Sequence, residues 1–337
     1  MKRSTRIALT ALGGLAAAAA LAPLFIRVAP LADTLPPEKL ADEDSRFLTL
    51  RGIHLHYSDA GEAPQSLFIL HGFGESIAAW RHLQRPLGEH FRVVAVDRPG
   101  FGLTERVSAD PRDPVNPYGV AGQTELFSAM LTELQAAPAV VVAHSAGAAI
   151  ALRLAIMHPE QVRALVLVGA AVYTVRRTLG IWRRLMNTRW ANKIGILAMR
   201  ISPRLFGHIA ERSWHDYSKA GDAYVDMIRY PLRSEDWDRG LWEAARVLPD
   251  TSILRRLGEV RMPVLVITGD NDRLVPPADA RSLVNALPNA ILSVIPNCGH
   301  LPHEECPDEF LAELFSFAAK LPPETPQQHL SGTAAML

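Results

Sequence analysis

The residues best placed to attack a carbonyl in this chain centre on Ser145. An apolar run at 139–143 leads into it, and a helix-forming run from 146 to 155 leads out. A strand that turns sharply into a helix at one serine is a nucleophile elbow, in which small residues must lie two positions away on each side. Such a turn holds the hydroxyl above the positive end of the helix, where a nearby histidine base can activate it.

The first of the small residues is Ala143, where glycine is usual, and the second is Gly147. Alanine is the smallest replacement for glycine, so we interpret Ala143 as a tolerated variant of the elbow. A motif this short arises by chance in alanine-rich chains. The function therefore depends on the partners of the serine.

Two polar clusters follow predicted strands near the C-terminal end. The run 264–268 opens into a segment with Asp270 and Asp272, and the run 291–296 opens into a segment that ends at His300. Open α/β sheets place their sites just past the carboxyl ends of strands. The chain therefore supplies a serine, an acid and a histidine in the order Ser145, aspartate, His300.

This arrangement resembles the α/β-hydrolase superfamily, specifically its serine-nucleophile members with a helical cap, over residues 47–320. Further motifs carry the resemblance. They are an oxyanion-loop-like His71-Gly72-Phe73-Gly74, a turn Asp97-Arg98-Pro99-Gly100-Phe101-Gly102, and Gly299-His300 followed by Glu304, Glu305 and Pro307.

The resemblance implies a role for each candidate residue. Ser145 would be the nucleophile, and His300 the general base and then the acid for the leaving group. Asp272 would orient the histidine. It is favoured over Asp270 because the acid of the family lies a few residues before a Val-Pro pair, here Val275-Pro276.

The backbone N–H groups of Phe73 and Ala146 would form the oxyanion hole. The neighbouring polar residues have simpler interpretations. Asp97 is expected to cap its turn, His71 to brace the oxyanion loop by a hydrogen bond, and His144 to pack beside the nucleophile.

Other residues near His300 are weaker candidates. His303 is an alternative base, and Glu304 and Glu305 are expected to be charges in the first turn of a helix. Cys298 and Cys306 are either two small buried thiols or, in an oxidising compartment, a disulfide.

The N-terminus predicts a membrane or export segment over residues 1–27. Lys2, Arg3 and Arg6 precede an apolar stretch, 7–26, that is about as long as a bilayer core is thick. Apolar residues at 24–26 favour an anchor over a signal peptide cleaved after Ala20, although cleavage there would give a secreted or periplasmic protein. The positive-inside rule places the catalytic domain on the non-cytoplasmic side.

The remaining chain predicts one α/β-hydrolase domain with an insertion. A linker is expected at 28–46, a mostly parallel sheet flanked by helices at 47–170 and 249–320, a helical cap at 171–248, and a disordered tail at 321–337. Alternation over 47–59 indicates an initial antiparallel hairpin.

The cap segment combines aromatic and basic residues. It holds five of the six tryptophans of the chain and two arginine pairs, Arg176-Arg177 and Arg183-Arg184. Such helices suit a membrane–water interface, where they would admit a hydrophobic, lipid-like ester. Alternatively, the tryptophans line the pocket or pack the cap, and the arginines are solvated.

These features predict a serine hydrolase of the carboxylesterase or lipase kind that needs no cofactor or metal. A C–C bond hydrolase, an amidase and a perhydrolase use the same triad. The serine argues against the dehalogenases and epoxide hydrolases, which have an aspartate at the elbow. A net charge of zero argues against nucleic-acid binding. A non-catalytic, membrane-tethered scaffold is the alternative outside enzymes.

Overall fold

The structure is a computed structural model. It describes residues 27–110, 113–173, 186, 188–201, 203–247 and 250–322. The predicted membrane segment at 7–26 and most of the predicted tail lie outside these ranges. Within them, none of the helices combines the length and the apolar character needed to cross a bilayer.

The centre of the fold is a sheet to which the described residues contribute eight strands, in the spatial order β1-β2-β4-β3-β5-β6-β7-β8. β2 is antiparallel to both β1 and β4, and all other pairs are parallel. The strands are β1 Arg46–Leu50, β2 Ile53–Ala60, β3 Ser66–Leu70, β4 Arg92–Val96, β5 Ala139–His144, β6 Val162–Val168, β7 Val264–Gly269 and β8 Ala290–Ile295. The predicted hairpin and the mostly parallel sheet are confirmed.

Helices cover the sheet and form the insertion between β6 and β7. The helices are α1 Pro37–Leu40, α2 Arg81–Gly88, α3 Val120–Glu133, α4 Gly147–Met157, α5 Arg189–Ile201, α6 Pro203–Ser213, α7 Gly221–Arg229, α8 Trp237–Arg246, α9 Pro277–Ala286, α10 Pro302–Glu305 and α11 Pro307–Ala318. The 3-10 turns are Ile77–Trp80, Pro159–Gln161, Tyr217–Lys219, Tyr230–Arg233, Thr251–Arg255 and Leu257–Glu259.

The central strands are apolar on both faces because helices cover both. Every residue of β3 and β5 is buried, as expected for parallel strands between two helical layers. One large apolar cluster packs α3, α4 and α9 on one face, and a second packs α2 and α11 on the other. The two cores hold the sheet rigidly, and its carboxyl edge carries the loops of the site.

The insertion is helical, as predicted for the cap, and the predicted linker packs against it. Leu35 N–H donates to the Arg233 carbonyl at 2.8 Å, and Glu235 N–H donates to the Leu35 carbonyl at 2.9 Å. The Tyr230 hydroxyl also donates to the Leu40 carbonyl. Residues 29–40 therefore form a strap along the cap. Sequence reasoning missed it because a proline-containing stretch without periodicity shows no packing partner.

Candidate active site

Ser145 lies at a strained turn between β5 and α4. Its φ is +50°, a left-handed conformation that a non-glycine residue rarely adopts. Its N–H donates to the Val168 carbonyl at 2.8 Å, which fixes the turn to β6. A Cβ on Gly147 would lie 2.9 Å from the carbonyl oxygens of both Leu70 and His71, so only glycine fits there. The predicted elbow geometry is present.

His300 and Asp272 complete a hydrogen-bonded chain with the serine. His300 Nε2 lies 3.0 Å from Ser145 Oγ, and its Nδ1 lies 2.7 Å from Asp272 Oδ2. The other oxygen of Asp272 accepts from the N–H groups of Leu274 and Val275 at 2.9 and 2.8 Å. The carboxylate therefore holds the Nδ1–H tautomer, which leaves Nε2 free to accept the proton of the serine.

The rival acid lies elsewhere. Asp270 is exposed and accepts from the Cys298 N–H at 3.3 Å. Its carboxylate supports the loop that carries His300 rather than the imidazole itself. The structure therefore brings Asp272, and not Asp270, to the histidine.

Of the two amides predicted for the oxyanion hole, Ala146 directly follows the serine and Phe73 lies in the loop after β3. Among the turn and loop contacts of the described residues, neither N–H donates to a backbone carbonyl. Phe73 and Ser145 line the same cavity. His71 braces the loop of Phe73, as predicted. Its Nδ1–H donates to the Gly72 carbonyl at 2.7 Å, and its Nε2 accepts from the Arg98 N–H at 2.9 Å.

Sequence reasoning missed a pair beside the triad, formed by the half-buried Glu75 and the buried His144. His144 Nδ1 lies 2.9 Å from Glu75 Oε2, and its Nε2 donates to the His300 carbonyl at 2.9 Å. Glu75 also accepts from the Gly72 N–H at 2.7 Å. His144 therefore does more than pack: with Glu75 it joins the oxyanion loop, the elbow and the histidine loop. The only hint in the sequence was an acid three residues after Gly72.

Electrostatics favour the charged form of this pair. Burial opposes it, but the attraction and hydrogen bond of the Glu75 carboxylate raise the pKa of His144. Likewise, burial works against ionisation of Glu75, yet His144 holds the pKa of this carboxyl well below its usual range. We therefore describe an imidazolium–carboxylate pair in which both ring N–H groups are satisfied.

The same pair belongs to a cluster of potential metal ligands. Ligand atoms of Glu75, His144 and His303 lie within 4.8 Å of one another. The Glu75–His144 hydrogen bond and the proton on each His144 nitrogen occupy the electron pairs that a metal would need. The arrangement fits an ion pair better than a metal centre.

His303 does not reach the serine. Its ring stacks on Trp80 with centroids 4.3 Å apart, and neither of its buried nitrogens has a hydrogen-bond partner in the described region. Burial and the neighbouring His144 lower its pKa well below the usual value. It is a neutral packing residue here and not an alternative base.

Glu304 and Glu305 lie in the first turn of α10, as predicted, but both have further contacts. Glu304 pairs with Arg81 Nη1 at 2.6 Å, and burial raises its pKa to about 7 although Arg81 opposes this. Glu305 accepts from the N–H groups of His215 and Asp216 at 2.9 and 2.8 Å. It thereby ties the histidine loop to the cap.

A cavity of about 290 Å³ opens above the triad between the sheet edge and the cap. The cap contributes mainly apolar side chains from α6, α7 and the turn after it. Those that line the cavity are Ile209, Ala210, Tyr224, Met227, Ile228 and Pro231. The volume is at the lower end of the range for small-molecule sites.

The predictions for Asp97 and for the two cysteines concern packing rather than the reaction. Asp97 is buried and accepts from the N–H groups of Leu103 and Ile77, each at 2.7 Å, so it braces its turn as predicted. The cysteines are free and buried, and no disulfide joins them.

Three cap tryptophans, Trp214, Trp237 and Trp242, are buried, which confirms the packing interpretation for these side chains. The side chains of Trp182 and Trp190 and both predicted arginine pairs lie outside the described residues.

Known proteins match the chain over most of its length. The chain is 26% identical over 286 residues, covering 82% of itself and 91% of the relative, to 2-hydroxy-6-oxo-6-(2'-aminophenyl)hexa-2,4-dienoic acid hydrolase of Metapseudomonas resinovorans. It is 25% identical to pimeloyl-[acyl-carrier protein] methyl ester esterase of Nitrosospira multiformis, covering 79% of this chain and 98% of that one.

Among solved structures, the esterase RhEst1 from Rhodococcus sp. ECU1013 superposes with a TM-score of 0.67 at 22% identity. It covers 83% of this chain and 100% of its own. At this identity the likeness shows the fold.

The sequence model of the alpha/beta hydrolase fold matches residues 65–307. These residues include the elbow, both partner loops and the whole parallel part of the sheet. The chain therefore belongs to the α/β-hydrolase fold family and is a hydrolase.

Proposed function

We propose that this hydrolase is a serine carboxylesterase that acts on esters with a hydrophobic chain. The observation that carries the proposal is the hydrogen-bonded chain from Ser145 through His300 to Asp272, with contacts of 3.0 and 2.7 Å, at the floor of an apolar cavity. This combination of a nucleophile, a base and a held tautomer is what acyl transfer requires.

The first half of the reaction forms an acyl-enzyme. His300 Nε2 accepts the proton of Ser145 as Oγ bonds to the ester carbonyl carbon, and the carbonyl oxygen becomes an oxyanion. Asp272 stabilises the imidazolium that results. His300 then gives the proton to the leaving alkoxide, so an alcohol departs and the acyl group stays on Ser145.

The second half repeats these steps with water. His300 takes a proton from a water molecule, whose oxygen attacks the acyl-enzyme, and the same proton returns to Ser145 Oγ as the acid leaves. In both halves we expect the N–H groups of Phe73 and Ala146 to donate to the oxyanion. Such donors contribute roughly 3–4 kcal/mol each in serine hydrolases.

The apolar lining supports a hydrophobic chain on the substrate. Ile209, Tyr224 and Met227 face the catalytic serine from the cap, while Leu274 and Val275 face it from the loop of Asp272. Burying a chain there is favourable by roughly 0.8 kcal/mol for each methylene.

The alternative is hydrolysis of a carbon–carbon bond in a diketone-like substrate. The relative from Metapseudomonas resinovorans is named as a hydrolase of a 2-hydroxy-6-oxo-dienoic acid, whose cleavage breaks such a bond. The same serine and histidine could serve that reaction. The pimeloyl methyl ester esterase supports the ester proposal at a similar identity.

The deciding experiment compares the two reactions on one preparation. We expect kcat/KM for methyl and aryl esters to rise with chain length until the cavity is full, and to exceed that for 2-hydroxy-6-oxo-6-phenylhexa-2,4-dienoate. The Ser145→Ala variant is the control for both. Turnover of the dienoate without turnover of any ester would contradict the proposal and establish the alternative.

For location, we propose that the chain is held at a membrane with its cap against the lipid. On α5, Ile194, Ala198 and Ile201 recur at helical spacing and are exposed, with exposures of 41% and 63% for the two isoleucines. Arg200 on the same helix donates to the Ala29 carbonyl at 2.6 Å. Ala29, near the start of the described chain, therefore lies beside this helix.

Vesicle flotation of a truncated protein that starts at residue 28 tests this proposal. We expect it to bind anionic vesicles, and the double variant Ile194→Glu, Ile201→Glu to lose binding while keeping ester hydrolysis in solution. Equal binding by both proteins would contradict a role for this helix face.

A further inference from the structure

A second, smaller cavity adjoins the active-site cavity, and a half-buried arginine, Arg106, lines it. The two cavities share Gly74, Glu75, Ile228 and Pro231 in their walls, so they are adjacent. The smaller one has a volume of about 40 Å³. Two charged side chains line it, Arg106 and Glu75, and the remaining lining residues are apolar side chains and glycines.

Arg106 is unusual because its charge has no partner. It donates from Nη1 to Ser234 Oγ at 2.9 Å and from Nη2 to the Gly102 carbonyl at 2.5 Å. Both acceptors are neutral, and no carboxylate of the described chain lies within 4 Å of the guanidinium. Its Nε–H is buried without any hydrogen-bond partner there. A half-buried cation with a buried, unpaired N–H is unfavourable, and an anion bound beside it would relieve that cost.

The carboxylates that act on Arg106 or lie near the two cavities have other partners within the described residues. Asp97 bonds to His56 and to the Leu103 N–H, and Asp236 faces Arg239 at 3.7 Å. Glu75 faces the His144 imidazolium at 2.9 Å, and Glu304 pairs with Arg81 at 2.6 Å. None of these carboxylates is free to neutralise Arg106. Although burial lowers the pKa of Arg106 to about 10, the guanidinium stays charged at neutral pH. The imbalance therefore persists under the conditions in which a hydrolase works.

The dimensions of the small cavity suit one anionic group. On a scale in which a water molecule needs roughly 10–15 Å³, its volume of about 40 Å³ holds about three heavy atoms. A carboxylate has three. Apolar side chains such as Ile228, Leu232 and Trp237 line much of the wall, which is compatible with an alkyl chain that arrives from the main cavity. Glu75 also lines it, and its carboxylate is paired with His144.

We propose that Arg106 forms a carboxylate subsite, and that the preferred substrates are esters whose hydrophobic chain ends in a carboxylate. The reacting ester lies at Ser145, the chain runs along the wall that the two cavities share at Ile228 and Pro231, and the terminal carboxylate accepts from the free N–H groups of Arg106. This proposal rests on the proposed function for its substrate class. Binding of the carboxylate at Arg106, however, can be measured without any turnover of the ester.

The kinetic test compares two series of methyl esters. One series is the monomethyl esters of straight-chain dicarboxylic acids from adipic to sebacic acid, and the other is the methyl esters of monocarboxylic acids of equal length. We expect kcat/KM to favour the acid series at one optimum length. In Arg106→Met this preference falls by about 10- to 100-fold, as expected for a lost charge-assisted hydrogen bond. Arg106→Lys retains part of it.

The matched control is Ser234→Ala, which removes the hydrogen bond from Arg106 to the cap and keeps the cation. If the guanidinium only connects the cap to the core, both Ser234→Ala and Arg106→Met lower kcat/KM equally for the two ester series. The ratio of kcat/KM between the acid series and the monocarboxylic series is then unchanged. That result, or equal kcat/KM for the two series in the wild type, would overturn the subsite.

A binding measurement separates this proposal from the proposed function. Titration calorimetry of Ser145→Ala with the best monomethyl ester needs no turnover, and the double variant with Arg106→Met reports the subsite. We expect about 10-fold weaker binding or more in the double variant. Equal affinities would overturn the subsite even if the ester is hydrolysed, whereas a difference would support it even if no ester is turned over.

Discussion

The core and the cap of this hydrolase are built in different ways. In the core, Asp272 and His300 are buried beneath the half-exposed Ser145, and hydrogen bonds fix their polar atoms, as with Asp272 and its three hydrogen bonds. The described cap is a set of amphipathic helices tied to the core at a few points. One is the His300 N–H, which donates to the Ser213 carbonyl at 2.6 Å.

This difference indicates a division of labour. The core sets the geometry of bond breaking, in which an ångström matters. The cap supplies the walls of the cavity, where an apolar contact can be replaced by another at modest cost. Substitutions in the core should therefore abolish the reaction, and substitutions in the cap should change which substrate is used.

The largest effect is expected for the acid of the triad. Asp272→Asn keeps the shape but favours the wrong tautomer of His300, so kcat should fall by about 10⁴-fold. Asp270→Asn is the same chemical change two residues earlier and should stay within about twofold, because Asp270 bonds only to the Cys298 N–H of the loop. Steady-state ester hydrolysis measures both, and similar losses in the two variants would contradict the assignment.

Substituting one glycine in the core and one in the cap compares the two regions directly. In Gly147→Ala the new Cβ meets two backbone oxygens at 2.9 Å, and in Gly195→Ala it meets the ring of Trp242 at 2.4 Å. We expect the first to lose reaction of Ser145 with a fluorophosphonate. The second should keep that reaction, lose about 1–3 kcal/mol of stability, and shift the chain-length preference. Loss of labelling in both would show that cap and core are not separable.

The Glu75–His144 pair should have a smaller effect because it acts through other residues. Glu75→Gln removes the charge that holds His144 protonated, so the oxyanion loop and the His300 loop lose a common support. We expect kcat to fall about 10- to 100-fold with a smaller change in KM, and the alkaline limb of the pH profile to shift. Glu62→Gln, at an exposed site, is the control. An unchanged pH profile would restrict the pair to a packing role.

The smallest effect is a pH dependence of stability from the core. Burial and Arg98 lower the pKa of His71 from 6.5 to about 4. The unfolded chain then binds the proton that the folded chain rejects, so stability is full above the ordinary pKa and is lost as the pH falls toward 4. Between pH 7 and 5 this costs about 2 kcal/mol. Urea unfolding measures it, and His71→Asn should show a shallower pH slope; an equal slope would contradict this origin.

The sequence predicted most of the core, because its signals are local. Apolar runs such as 139–143 and small residues beside Ser145 report directly on a buried strand and a sharp turn, and the Val275-Pro276 pair placed Asp272 ahead of Asp270. The resemblance to the α/β-hydrolases then assigned catalytic roles to these residues. The tryptophans of the cap, in contrast, were compatible from the sequence both with an interface to lipid and with packing inside the cap.

Long-range pairs could not be predicted. Glu75 meets His144 across 69 positions, Arg106 meets Ser234 across 128, and Leu35 of the strap meets Arg233 of the cap. No periodicity links such residues, because their contact depends on how loops at one sheet edge pack. These pairs are also the ones from which the positioning and subsite hypotheses come.

The most direct test of the central claim, that the core presents an activated serine, is labelling of the purified chain with a fluorophosphonate probe. We predict one label per chain on Ser145, lost in both Ser145→Ala and His300→Ala and retained in Asp270→Asn. Labelling of Ser145→Ala as strongly as the wild type, or no labelling of a folded wild type in detergent or lipid, would contradict it.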